Sequence, residues 1–121
     1  MKSPEKLLET AIMALEDLKA SNIHVMDVSK LTSSCTTMIV ASADSTRQTR
    51  ALASHVQEKV KATGSMVYGI EGEQTGEWLL VDLGDIIVHI MQPAIRSYYD
   101  LEGLWSEQAW RSPQENSAVY G

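Results

Sequence analysis

The segment from Gly76 to Gln92, GEWLLVDLGDIIVHIMQ, constrains this chain more than any other, because it reads as one β-hairpin with two largely apolar faces. A turn at Leu83-Gly84 would set Asp82 beside Asp85, Val81 beside Ile86, Leu80 beside Ile87, Leu79 beside Val88 and Trp78 beside His89. Leu79, Val81, Ile86, Val88 and Ile90 then share one face, and Trp78, Leu80, Ile87, His89 and Met91 share the other. The first set is wholly aliphatic and suits packing under helices. The second mixes aliphatic, aromatic and titratable groups, which fits either a second core layer or a docking surface. Such a hairpin needs a cover on each side.

At 121 residues the chain suits one domain. A hydrophobic fraction of 44% with 21% charged residues argues for a folded protein. No apolar run approaches the ~20 residues of a membrane span. Glu5, Glu9, Glu16 and Asp17 stand where a secretory or mitochondrial presequence would be basic or apolar, so the bacterial cytoplasm is the expected compartment. The single cysteine, Cys35, has no intrachain partner and no neighbouring base, which suits a reducing compartment and a packing role. The formal net charge is -6, and the ten Lys and Arg are scattered along the chain. Bare phosphate backbone would repel such a protein, so little direct RNA contact is expected, and a basic protein is the partner that electrostatics favours.

Along the chain, Ser3 and Pro4 mark a helix start, and the spacing of Leu7, Leu8, Ala11, Ile12, Leu15 and Leu18 predicts a helix to about Ala20. Residues 23–28 and 38–41 read as strands, separated by a Ser/Thr-rich loop. Asp44 or Ser45 caps a second helix, with Gln48 completing a capping box, Leu52, Val56 and Val60 as its inner stripe and Gly64 as its stop. A short strand over 66–70, a polar loop over 71–76, the hairpin and a last helix after Pro93 follow. Tyr98 and Tyr99 on that helix cannot both point inward. The composition turns polar after Trp105, with a turn of helix expected only around Trp110. This order predicts an α/β (α+β) domain with a mixed sheet of about five strands flanked by helices.

Asp27-Val28, Ser45-Thr46-Arg47, Ile70-Glu71-Gly72-Glu73, Gly76-Glu77-Trp78, Asp82-Leu83-Gly84-Asp85, Val88-His89-Ile90-Met91, Tyr98-Tyr99-Asp100-Leu101-Glu102 and Leu104-Trp105 follow one another in a characteristic order and spacing. In this the chain resembles the ribosomal silencing factor family, also called RsfS or Iojap-related proteins. The resemblance runs from Leu7 to Trp105, so residues 1–105 are expected to form a single silencing-factor domain and 106–121 a polar tail. It implies a fold similar to that of nucleotidyltransferases, although fold does not carry activity with it. It further implies binding to the large ribosomal subunit through the ribosomal protein of the L-fourteen family. Steric exclusion of the small subunit would then repress translation, or guard the subunit during assembly. No catalytic residue, cofactor or metal is expected on this reading, and the chain has no P-loop, dinucleotide fingerprint or catalytic triad pattern. It departs from the family where relatives commonly carry Asp-Tyr and this chain has Thr36-Thr37, and where Ala43 replaces a usual Gly.

The candidate partner-binding residues are weighed against ordinary structural roles. Trp78 is either an interface anchor or a second-layer core residue, and the resemblance favours the interface for it and for Leu80, Ile87 and Met91. Asp82 and Asp85 either settle the turn and point to solvent or recognise a basic partner; no third ligand is placed locally to complete a metal site. His89 reads as a hydrogen-bonded strand residue on the same face. Glu71 is a loop acid able to meet a basic partner. Arg47 and Arg50 read as a solvated helix face, with the resemblance singling out Arg47 for an interface or for holding the loop. Two rival functions stand beside silencing. One is a nucleotidyltransferase-like, metal-dependent enzyme using Asp82 and Asp85; the other is a generic adaptor that dimerises through its apolar face, an association also open to a silencing factor off the ribosome.

Overall fold

A computed structural model describes residues 4–105. Ser3, the tail from Ser106 onward and the turn expected around Trp110 lie outside these residues.

Helix α1, Pro4–Asp17, buries Ala11, Ala14 and Leu15 at the spacing of one helical face. It stops before the expected Ala20 because Lys19 turns left-handed, with φ 62°. Its N–H then reaches Glu16 O and that of Ala20 reaches Leu15 O, each at 3.0 Å, the Schellman arrangement that ends a helix. Strands β1 (Ser21–Asp27) and β2 (Thr37–Ser42) follow. Helix α2, Thr46–Ala62, is capped by Ser45, whose hydroxyl accepts from Gln48 N at 3.1 Å. The return bond of the expected capping box goes one residue further out, from Asp44 N to Gln48 Oε1. Leu52, Val56 and Val60 are buried as their spacing requires. Strand β3 is Gly69–Glu71, shorter and later than expected. The hairpin is β4 (Trp78–Asp82) and β5 (Ile86–Met91), followed by α3 (Pro93–Tyr99) and α4 (Leu101–Leu104).

The five strands form one sheet in the order β1-β2-β5-β4-β3. Only β2 and β5 run parallel, because α2 carries the chain across between β2 and the later strands. This is an α+β fold with a mixed five-stranded sheet, as expected.

The expected hairpin register is corrected by two residues. Asp82 faces Ile87, Val81 faces Val88, Leu80 faces His89, Leu79 faces Ile90 and Trp78 faces Met91. The turn is centred on Gly84-Asp85 and closed by Leu83 N donating to Ile86 O at 2.9 Å. Gly84 sits at φ 90°, the conformation the first central position of a type II′ turn demands, and Asp82 Oδ1 accepts its N–H at 2.8 Å. Asp82 and Asp85 therefore do not oppose each other. A shift of two keeps the parity of every side chain, so both expected faces survive.

Leu79, Val81, Ile86, Val88 and Ile90 pack with Ile39 and Ala41 beneath α1 and α2 in the main core. The opposite face carries a second core: Met26, Met38, Val40 and Met91 under Leu101, with Ile95, Leu104 and Trp105 packed against them. Segment α3–α4 thus covers only part of that face.

Candidate functional site

Strand pairing sets the second face out in rows. One row crosses the whole sheet: His24, Val40, His89, Leu80 and Glu71. The next is Met26, Met38, Ile87, Asp82 and Gly69, and on the other side Ser42, Met91 and Trp78 align. Seven of the nine expected site residues, Trp78, Leu80, Asp82, Ile87, His89, Met91 and Glu71, therefore share this face. Asp85 lies at the hairpin tip beside it, exposed to solvent. Arg47 does not join them: it is exposed at the start of α2, and among the described residues its guanidinium makes no hydrogen bond or ion pair.

Burial divides the seven. Met91 is fully enclosed and His89 is only 5% exposed, because α3–α4 lies over this part of the sheet. Neither offers a partner the broad contact expected of it. Trp78, Leu80 and Ile87 are half-buried, and Leu80 belongs to neither core. The open area is thus on β4, the neighbouring β3 and Ile87 of β5. Trp78 spans the two regions: its ring lies 4.9 Å from that of Tyr99, and its Nε1–H donates to His89 Nδ1 at 3.0 Å. It is a second-layer packing residue and a surface residue at once. Tyr99 stays half in contact through this ring pair, while Tyr98 is 80% exposed. Burial holds the His89 imidazole neutral, its pKa lowered to about 4.

Along β3, the loop before the hairpin, β4 and β5 the charged side chains are all acidic. Between Lys61 and Arg96 the chain has Glu71, Glu73, Glu77, Asp82 and Asp85 and no lysine or arginine. Burial and these two aspartates push the Cys35 thiol up, so this buried cysteine is a packing group. Among the described residues no three His, Cys, Asp or Glu side chains gather closely enough to hold a metal ion. No described helix is long and apolar enough to cross a membrane.

Two supports of the face escaped sequence reasoning. Arg50, read as solvated, holds the loop before the hairpin: Nε donates to Glu73 O at 3.1 Å and Nη2 to Gln74 O at 2.8 Å. The buried Thr49 hydroxyl donates to Gly76 O at 2.6 Å. The loop-holding role considered for Arg47 thus belongs to its neighbour one turn on, a distinction that needs the partner carbonyls in view. The second support is Arg96, which joins Glu102 and Ser42 and ties α3–α4 to the sheet. Glu102 stood inside a noted motif, yet nothing in the spacing told what it holds. At the hairpin tip, the N–H groups of Thr36 and Thr37 and the Thr36 hydroxyl all converge on Asp85 O, at 2.8, 3.1 and 3.1 Å. The backbone of Thr36 and Thr37, with the Thr36 hydroxyl, therefore anchors the turn.

The family model for "Ribosomal silencing factor during starvation" matches residues 1–119. The chain belongs to the ribosomal silencing factor (RsfS) family. It is 52% identical over 104 residues to the ribosomal silencing factor of Chromobacterium violaceum, covering 86% of this chain and 85% of that protein. It is 39% identical over 100 residues to the one from Haemophilus influenzae, covering 83% and 98%. A crystal structure of a Chromobacterium violaceum protein, 51% identical, superposes with a TM-score of 0.84 over 86% of this chain and 87% of that one. One from Bacillus halodurans, 29% identical, gives 0.76 over 84% and 94%. Of the nine expected residues, Trp78, Leu80, Ile87 and Asp82 are half-buried, Glu71, Asp85 and Arg47 are exposed, and His89 and Met91 are buried.

Proposed function

We propose that this chain represses translation by docking on the large ribosomal subunit through the open part of its second sheet face, on the basic ribosomal protein of the L-fourteen family. Held there, it stands where the small subunit would join and prevents association by steric exclusion, without chemical turnover. The observation that carries this reading is the half-covered apolar patch of Trp78, Leu80 and Ile87 bordered by Glu71, Asp82 and Asp85. Apolar area supplies affinity once dry, and a one-signed rim speeds and orients the encounter with a partner of opposite charge. The α1–α2 side has no part in this, since its helices already close the main core. The same acidic rim disfavours direct contact with RNA phosphates.

Sedimentation of purified protein with separated subunits tests the assignment. Migration with large subunits and not with small ones is expected, weakening as salt rises because the rim charges are screened. Failure to migrate with either subunit would leave the patch as a surface for self-association, the generic adaptor.

A further inference from the structure

Resting on that docking reading, we propose that His89 presents one fixed hydrogen-bond donor, Nε2–H, to an uncharged oxygen acceptor on the partner, such as a backbone carbonyl. An indole N–H only donates, so the contact of Trp78 Nε1 with His89 Nδ1 at 3.0 Å requires the lone pair to be on Nδ1. The buried ring is neutral, and its one proton is therefore on Nε2. Among the described residues the His89 ring makes no other hydrogen bond. Yet no enclosed side-chain nitrogen or oxygen among them lacks a partner. Nε2 is consequently not sealed in, and it reaches solvent on the face where strand pairing sets His89 between Val40 and Leu80.

This makes His89 a donor of unusual rigidity for a surface. Flipping the ring would forfeit the Trp78 bond, and the 5% exposure leaves it no other position. Lysine and arginine side chains, which suit the acidic rim, carry no acceptor. A carbonyl, amide or hydroxyl oxygen does. A partner that laid an apolar group over Nε2 would strand its N–H, so this one atom also selects among basic proteins.

Two substitutions separate the ring's two nitrogens. Asparagine sets its carbonyl oxygen near the position of Nδ1 and has nothing at Nε2; glutamine sets its amide near Nε2 and leaves the indole unserved. With thermal melting used to confirm folding, affinity for purified large subunits should fall roughly tenfold in His89→Asn, about 1.4 kcal/mol, and fall less in His89→Gln, which keeps an N–H near Nε2. Wild type that binds while His89→Asn binds equally well would overturn this inference and leave the docking reading standing. Binding lost in His89→Gln but kept in His89→Asn would also overturn it, assigning His89 to holding Trp78. Wild type that does not bind would overturn the docking reading itself. Long-range ¹H–¹⁵N correlations on the wild-type protein need no variant to fold: a ring protonated on Nε2 is expected, and one protonated on Nδ1 overturns the proposal.

Discussion

Arg96 grips Glu102 with two nitrogens, Nε at 3.2 Å and Nη2 at 2.8 Å from Oε2, and so locks α3 to α4 across the left-handed Asp100 between them. Its remaining nitrogen, Nη1, donates to the buried Ser42 hydroxyl at 2.8 Å, extending the lock to the end of β2. This group holds the cover over part of the second face. Arg96→Met keeps the aliphatic stem and removes all of these bonds, leaving Ser42 and Glu102 short of a partner. A loss of about 2 kcal/mol in unfolding free energy is expected, measurable by urea denaturation. A loss below about 0.5 kcal/mol would show that the lock contributes nothing beyond an ordinary surface ion pair.

Leu80 belongs to neither core, so its substitution separates docking from folding. Leu80→Arg places a like charge before a basic partner and removes apolar contact. Binding to large subunits should fall at least about tenfold, while stability changes by less than about 1 kcal/mol. Trp78→Ala is the weaker test, because it also breaks the contacts with Tyr99 and His89. Unchanged binding by a folded Leu80→Arg protein would remove β4 from the interface.

Gly72 and Gly64 have nearly the same backbone, φ 90° and 89°, and very different surroundings. A Cβ on Gly72 would strike the carbonyl of Trp78, whereas one on Gly64 would meet nothing within 4 Å. Gly64→Ala should cost about 1 kcal/mol, the left-handed penalty alone. Gly72→Ala should cost at least about 2 kcal/mol more, because backbone must move. Equal losses in denaturation would mean that the loop over 71–76 yields freely and does not set the position of β4.

The depressed pKa of His89 carries a sign. Between its unfolded value of 6.5 and its folded value of about 4, the unfolded chain binds more protons at this site than the folded one, so stability falls as pH drops through that window. The full loss at this site is roughly 3 kcal/mol. Glu102 adds to it lower down: the Arg96 hydrogen bonds hold its carboxyl below the usual range, so its contribution is present above the unfolded carboxylate pKa and lost as pH falls through the lowered one. Urea denaturation from pH 7 to pH 4 should show the decline in wild type and a flatter curve in His89→Gln. Parallel curves would contradict the burial of a neutral imidazole.

The elements and both hairpin faces were legible because alternation and helical spacing depend only on local chemistry. Leu79, Val81, Val88 and Ile90 point one way whatever the register. The register itself was not legible, since a turn at Leu83-Gly84 and one at Gly84-Asp85 satisfy the same alternation; the side-chain bond from Asp82 to Gly84 N decides between them. The second sheet face was legible as a set of residues but not as a surface. His89 and Met91 are buried only because α3–α4 folds back over β1, β2 and β5, a placement that depends on Arg96, joined to Glu102, meeting Ser42, which is more than fifty residues away in the chain. Arg50 was passed over for Arg47 because its partners are backbone carbonyls, which leave no mark in the sequence.

Order of addition tests steric exclusion most directly. Protein added to separated subunits before they are mixed should lower the yield of joined ribosomes on a sucrose gradient, and Leu80→Arg should largely restore it. The same amount added after joining should have much less effect, because the small subunit then occupies the site. Equal inhibition in either order, or no inhibition by protein that binds the large subunit, would contradict the account.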